Sequence, residues 1–316
     1  MYDLGEPPPA STLDPFSAGR TLIWAFLCET LVLILTYSLG AVMFADAEDW
    51  VLEIICIVIG YVVVIYMLSR ASVKRGLHPT EVFRLKKVEI KDAFSLVLLG
   101  AGLISVELLV INVLDIFLKG KIGQWAALFP STELEGSLVP AAILLVVIVP
   151  LVEEMVFRGF LSKAFSGWGP GWAVVFPGIV FALFHHPVGM VGAFCIALIC
   201  GIMALNYDSI IPGIFVHAGC NFMVVLIEFI MTSVSSSASV AVLICITIAG
   251  SVSLIFLRSK LADLWHDLKR YWLQFKEKPA FRENLGSLAR NWAWMVIFAG
   301  LLVRIGQIVY VTVRGA

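Results

Sequence analysis

The stretch VPLVEEMVFRGF, at 149–160, places three ionisable side chains in an otherwise apolar run: Glu153, Glu154 and Arg158. A charge at the centre of a membrane span costs roughly 2.5–3.5 kcal/mol on insertion scales, so such groups face a bundle interior or a wet cavity. Glu154 and Arg158 stand four residues apart with the acid first, the orientation that pairs best on a helix. Glu153 points about 100° away on the same turn and needs another partner.

Three of the five histidines also lie in apolar surroundings. His185 and His186 stand in FALFHHPVG, and His217 stands in PGIFVHAGCNF four residues before Asn221, so His217 and Asn221 share a helix face. Counted from the nearest inner turn at 1.5 Å per residue, Glu153 and Asn221 each lie about 18 Å deep, His185 about 21 Å and His217 about 12 Å. The spacing therefore predicts a carboxylate, two imidazoles and an amide at similar depth on three helices.

These groups are sufficient for one kind of hydrolysis. A buried carboxylate beside an imidazole can take a proton from water, and a second imidazole with an amide can donate hydrogen bonds to an oxyanion. The set could hydrolyse a peptide bond without a covalent intermediate, and the sequence contains no GxSxG motif. Two histidines and a glutamate could instead bind zinc, although HExxH is absent and a glutamate paired with arginine is a poor ligand. We expect no cofactor, with zinc as the alternative.

The composition predicts the elements that position these residues. Of the 316 residues 60% are hydrophobic and only 14% charged, whereas a soluble domain is about half apolar and a quarter charged. We therefore expect an all-α, polytopic transmembrane bundle of eight or nine spans, and a net charge of −1 gives no basic surplus for nucleic acid. The candidate spans are 21–45, 50–68, 93–118, 137–165, 171–186, 188–206, 209–231, 239–257 and 292–313.

Charge predicts the orientation of the bundle. Residues 69–91 hold seven Lys and Arg against two acids, and residues 258–290 hold eight against four. The positive-inside rule places both loops, and with them the N-terminus, in the cytoplasm. Residues 1–20 are polar and proline-rich and are expected to form a disordered tail. Residues 258–275 alternate apolar and charged faces at helical spacing, which predicts an amphipathic helix lying on the membrane.

Three motifs resemble a known family. EEMVFR fits EExxxR, FALFH fits FxxxH, and HAGCN fits HxxxN, in this order and each within an apolar span. Together they resemble the CAAX-processing and bacteriocin-processing (CPBP, or Abi) family of intramembrane glutamic endopeptidases, which includes the type II CAAX prenyl endopeptidases. The resemblance covers residues 137–231. It divides the chain into the tail, N-terminal helices at 21–136, a catalytic core at 137–231 and C-terminal helices at 232–316.

The resemblance implies roles. Glu153 would activate water with help from His185. Glu154 and Arg158 would support Glu153, and His217 and Asn221 would stabilise the oxyanion. The family's mechanism implies no metal. The expected partners are membrane lipid and a membrane-associated or lipidated protein or peptide substrate, and the expected location is a bacterial cytoplasmic membrane. His186 has no motif position.

Two further functions compete with an endopeptidase. A catalytically silent relative could serve as a membrane scaffold or a bacteriocin self-immunity protein, and a transporter or proton relay could use the same buried acids and histidines. The sequence shows no inverted repeats with broken helices, which counts against a transporter. Several ionisable residues within apolar runs have no motif position: Glu29, Glu107, Asp115, Glu228 and Arg304.

Overall fold

The computed structural model describes residues 13–43, 49–87, 89–120, 138–185, 187–233, 236–276 and 280–314. The expected all-α class is confirmed, because these residues form twelve helices and no strand. In chain order the helices are α1 (Pro15–Met43), α2 (Asp49–Val73), α3 (Pro79–Phe83), α4 (Ile90–Phe117), α5 (138–165), α6 (Pro170–Leu183), α7 (Met190–Asn206), α8 (Ile211–Ser233), α9 (Ser236–Phe256), α10 (Arg258–Phe275), α11 (Ala280–Ala289) and α12 (Trp292–Arg314).

The first helix begins earlier than the sequence suggested. Residues 1–20 were expected to be disordered, but α1 already starts at Pro15. Asp14 explains the early start, because its Oδ1 accepts hydrogen bonds of 2.9 Å from the backbone N–H groups of Phe16 and Ser17. The Pro15 carbonyl also accepts a 2.9 Å bond from the indole of Trp294, which ties α1 to α12. Residues 1–12 lie outside the described part of the chain.

Length and composition make the chain an integral, multi-pass membrane protein. Among the described residues, four helices are long and apolar enough to cross a bilayer, namely α1, α2, α4 and α8. A fifth span results if the bent pair of α9 and α10 is one unit. Helices α6 and α7 are apolar but shorter. Each of the nine expected spans has a helical counterpart, and several begin or end a few residues from the expected limits.

The two basic segments lie at one end of the bundle. The loop after α3 contacts the turn that follows α7, where the Ser209 hydroxyl donates a 2.6 Å bond to the Lys86 carbonyl. Helix α10 contacts the same end of α7, where Asn206 donates a 2.7 Å bond to Asp267. Helix α10 turns 73° from α9 and exposes Trp265, as an amphipathic helix at the membrane surface would. Which side of the membrane this end faces stays a prediction.

Helix α8 owes its position to close packing on α4. A methyl group on Gly219 would overlap the carbonyl of Val97, and one on Gly100 would overlap the carbonyl of Val216. Small residues of this kind allow two membrane helices to approach closely. The thiol of Cys220 adds a 3.3 Å hydrogen bond to the Gly100 carbonyl. The approach fixes the rotation of α8 and therefore the direction in which its polar residues project.

Candidate active site

Helix α5 is irregular where it carries the acidic pair. The six-residue α-helical turn Val149–Glu154 lies between two π-helical segments, Leu144–Ile148 and Met155–Leu161. Such segments are rare and are found frequently at functional sites. Pro150 stands at the start of the short turn and has no N–H to donate. The two glutamates therefore occupy one regular turn between two widened ones.

Glu154 is the centre of a buried ion cluster. Its Oε1 lies 2.9 Å from Arg158 Nη1 and 3.2 Å from His217 Nδ1. All three side chains are almost completely buried. Because a carboxylate that pairs with arginine can only accept hydrogen bonds, Nδ1 of His217 must carry the proton. The pair expected from sequence thus forms, and it also orients a histidine from a helix more than sixty residues away.

Glu153 faces the other ring nitrogen of the same histidine. Its Oε2 lies 3.5 Å from His217 Nε2, and a quarter of its side chain is accessible. The Oε2 atom is itself buried and accepts no hydrogen bond from the described residues. A buried carboxylate oxygen beside an imidazole nitrogen is an acceptor positioned for a polar ligand. His217 therefore lies between the two acids, with one ring nitrogen directed at each.

Phe181 joins the second motif to this cluster. Its ring centroid is 4.2 Å from that of His185 and 5.5 Å from that of His217. The guanidinium carbon of Arg158 lies 4.3 Å from the same centroid, which adds a cation–π contact. His185 Nδ1 is 2.9 Å from the Phe181 carbonyl, and since a carbonyl only accepts, this nitrogen donates. Nε2 is then the acceptor of the neutral His185 ring.

Asn221 contacts the backbone of α5. Its Nδ2 donates a 2.7 Å hydrogen bond to the Leu145 carbonyl. The irregular helix explains this bond, because the N–H of Val149 turns to the carbonyl of Leu144 and Pro150 offers no N–H in its place. The Leu145 carbonyl would otherwise lack a donor. One N–H of Asn221 is thus committed to the helix, and the amide has a second N–H to offer.

Arg84 donates a hydrogen bond to a carbonyl of the second π-helical segment. Its Nη2 donates a 2.6 Å bond to the Arg158 carbonyl, and its Nη1 donates a longer 3.4 Å bond to the Ala204 carbonyl. Its own carbonyl accepts from the N–H of Ile210 at 3.1 Å, next to the start of α8. The residue is buried and has a left-handed backbone, with φ of 47°. In the sequence Arg84 is one of several cations in a basic loop, and nothing in their spacing sets it apart.

Two further residues that interact with the acids were not expected from the sequence. Tyr61 on α2 is partly buried and interacts electrostatically with both Glu153 and Glu29. Gly213 on α8 lies against Glu154, because a methyl group on it would sit 2.8 Å from Oε2 of that carboxylate. The first is an aromatic residue in an apolar span and the second follows a proline, so neither carries a sequence signal for this role.

The remaining ionisable residues are less closely involved. Glu107 on α4 fits against the start of α7, where its carboxylate occupies the space that a methyl group on Gly192 would need. Glu228 is exposed on α8. His186 and the side chain of Arg304 lie outside the described residues. Within the described part of the chain, no three His, Cys, Asp or Glu side chains are grouped as a metal site would require.

The comparison with known families agrees with the motifs. Residues 135–223 match the family model described as type II CAAX prenyl endopeptidase Rce1-like. This segment is therefore similar to that family. The match takes in α5, α6, α7 and more than half of α8, and it includes all seven motif residues, so the CPBP resemblance is confirmed for the part of the chain that holds the cluster. No curated protein and no solved structure matches the chain.

Proposed function

We propose that the protein is an intramembrane endopeptidase that hydrolyses a peptide bond of a membrane-associated or lipidated protein or peptide. The family match supports a peptidase. The observation that carries the mechanism is the buried Oε2 of Glu153, which accepts no hydrogen bond from the described residues and faces His217. Glu153 is the general base, and the pair of Glu154 and Arg158 holds the histidine in place.

Charge counting supports this division of roles. With both acids ionised, Glu153, Glu154 and Arg158 carry one surplus negative charge, which is costly in a buried site. One proton between Glu153 and His217 makes the cluster neutral. When that proton is on His217, both ring nitrogens are donors and Glu153 is a carboxylate, which is the state that can take a proton from water.

These positions support the following reaction. A water molecule on Glu153 Oε2, with His185 Nε2 as a second acceptor, gives a proton to Glu153 while its oxygen bonds to the peptide carbonyl carbon. The oxyanion receives hydrogen bonds from His217 Nε2–H and from the second N–H of Asn221. Collapse of the tetrahedral intermediate breaks the C–N bond, and Glu153 returns its proton to the leaving amine. No atom outside water, substrate and these side chains is needed.

The decisive experiment measures cleavage by the purified full-length protein in liposomes. The substrates are quenched-fluorescence peptides that end in a CAAX sequence, with and without a prenyl group, and an unrelated membrane peptide. Glu153→Gln keeps the shape of the side chain and removes the base, so we expect a loss of about 10²- to 10⁴-fold in kcat. The matched control is Glu228→Gln, the same change at an exposed glutamate on α8.

Each outcome has a meaning. Cleavage that persists with chelator, disappears in Glu153→Gln and survives in Glu228→Gln supports the proposed mechanism. Cleavage that chelator abolishes contradicts it and favours the zinc alternative. Cleavage that Glu153→Gln retains contradicts the choice of base. The thermal unfolding curve shows whether the wild-type protein is folded. If folded wild-type protein cuts none of the peptides, the silent-scaffold alternative replaces the proposal.

A further inference from the structure

A basic cleft lies between the first two spans, away from the motif residues. It has a volume of about 630 Å³ and is formed by the first turns of α1 and the last turns of α2. Its lining combines cations, hydroxyl groups and two aromatic rings: Ser17, Arg20, Thr21, Trp24, Tyr66, Met67, Arg70, Ala71, Lys74 and Arg75. Four of these ten residues are Lys or Arg, and none is acidic.

The positive charge of this cleft is poorly compensated. Arg75 interacts electrostatically with Asp14 and donates a 2.9 Å bond to the Ala71 carbonyl. Arg70 donates a 2.9 Å bond to the Tyr66 hydroxyl, which is neutral. In the described ranges of the chain, no carboxylate forms an ion pair with Arg20, Arg70 or Lys74. Three exposed cations from two adjacent helices therefore border one cavity.

The position of the cleft indicates a ligand held in the membrane. It lies at the ends of two apolar helices, each long enough to cross a bilayer, where phospholipid headgroups are found. Trp24 and Tyr66 line it and are more than half exposed, as aromatic residues at the level of the headgroups are. Leu27 and Val62, next along the same helices, are also exposed and apolar. A ligand with an anionic head and an apolar tail matches both parts of this surface.

We propose that this cleft binds the phosphate headgroup of an anionic phospholipid, with the acyl chains along the exposed face of α1 and α2. Arg70 lies in the last turn of α2, Lys74 follows one residue after the end of that helix, and Arg20 lies on α1. Basic pockets between membrane helices bind such headgroups. The proposal does not depend on the proposed peptidase activity, because no residue of the cleft belongs to the catalytic cluster.

The test measures lipid affinity by native mass spectrometry of the full-length protein in detergent, titrated with phosphatidylglycerol or phosphatidylcholine. We expect clear preference for phosphatidylglycerol. Each surface cation contributes about fivefold to the affinity for an anionic lipid. The triple variant Arg20→Gln, Arg70→Gln, Lys74→Gln should therefore lose phosphatidylglycerol affinity by about 100-fold and leave phosphatidylcholine binding unchanged.

A matched triple variant separates this site from net charge. Lys87→Gln, Arg258→Gln, Arg282→Gln removes the same charge from three exposed positions outside the cleft in the two basic segments, and it should retain phosphatidylglycerol binding. Equal binding of the two lipids, or equal loss in both triple variants, would overturn the proposal. So would displacement of bound phosphatidylglycerol by millimolar inorganic phosphate, since that result would indicate a soluble anion. If the cleft triple variant does not fold, Lys74→Gln alone should lower the affinity about fivefold.

Discussion

Gly213→Ala is a sharp test of the proposed site. Glycine has no polar side chain that could take part in the reaction, so the substitution acts only through the methyl group that it adds. A methyl group at this position would lie 2.8 Å from Glu154 Oε2 and 3.2 Å from Cys200 Cβ. Ordinary van der Waals contact begins at 3.4 Å, so the carboxylate would have to retreat by about 0.6 Å. Both neighbours are buried, which leaves little room for the retreat.

The retreat of the Glu154 carboxylate would also displace groups around the proposed catalytic base. Glu154 orients His217 through a 3.2 Å contact to Nδ1, and His217 Nε2 faces Glu153. A misplacement of 1 Å in an active site can cost about 100-fold in rate, so a shift of about 0.6 Å predicts a loss of roughly tenfold in kcat/KM for Gly213→Ala. Overpacking a core also costs typically about 1–3 kcal/mol of stability.

Gly178→Ala is the matched control for this change. It adds the same methyl group on α6, where the nearest atoms are 3.5 Å away, at ordinary contact distance. It should keep activity and leave stability unchanged or raised by about 0.5–1 kcal/mol. Peptide cleavage and thermal unfolding would be measured for both variants in the same liposomes. If Gly213→Ala cleaves as fast as wild type and Gly178→Ala, Glu154 does not position the site as we infer.

Three other substitutions test separate contacts. Arg158→Met leaves Glu154 buried without its cation and should destabilise the protein by about 3–5 kcal/mol, measured by thermal unfolding. The double variant Arg158→Met, Glu154→Gln removes both charges and should recover part of this lost stability. Tyr61→Phe removes a hydroxyl that interacts electrostatically with the proposed base, so the pH profile of kcat should shift while stability changes little. An unchanged profile would assign the tyrosine to packing. Asn221→Ala removes the donor to the Leu145 carbonyl and should lower the stability by about 1–3 kcal/mol as well as reduce the activity. A loss of activity without a loss of stability would mean that Asn221 has only the oxyanion role.

The contacts that follow helical spacing could be predicted from the sequence. Glu154 and Arg158 pair because residues four apart on a helix are neighbours, and this holds in irregular α5 as well. His217 and Asn221 lie on one face for the same reason. Their expected depths in the membrane also predicted that both lie near Glu153, and His217 Nε2 is 3.5 Å from Glu153 Oε2. These contacts could be predicted because helical periodicity and span length are local properties of the chain.

The contacts that depend on irregular backbone could not be predicted. That Asn221 binds a carbonyl of α5 depends on the π-helical segment before Pro150, and hydrophobic periodicity does not reveal such a segment. Arg84 stands among exposed loop cations in the sequence and is distinguished only by burial against α5. Tyr61 is one aromatic residue in a long apolar span. These roles need three-dimensional contacts between segments far apart in the chain.

The two side-chain donors to α5 explain how an irregular helix can hold a fixed site. The first π-helical segment leaves the Leu145 carbonyl poorly supplied by its own helix, and this carbonyl accepts from Asn221. On the other side of the glutamates, the Arg158 carbonyl accepts from Arg84. An unsatisfied buried carbonyl costs free energy, so the Asn221 donor favours this backbone over a regular helix. The loop after α3 and helix α8 therefore both support the helix that carries the proposed base.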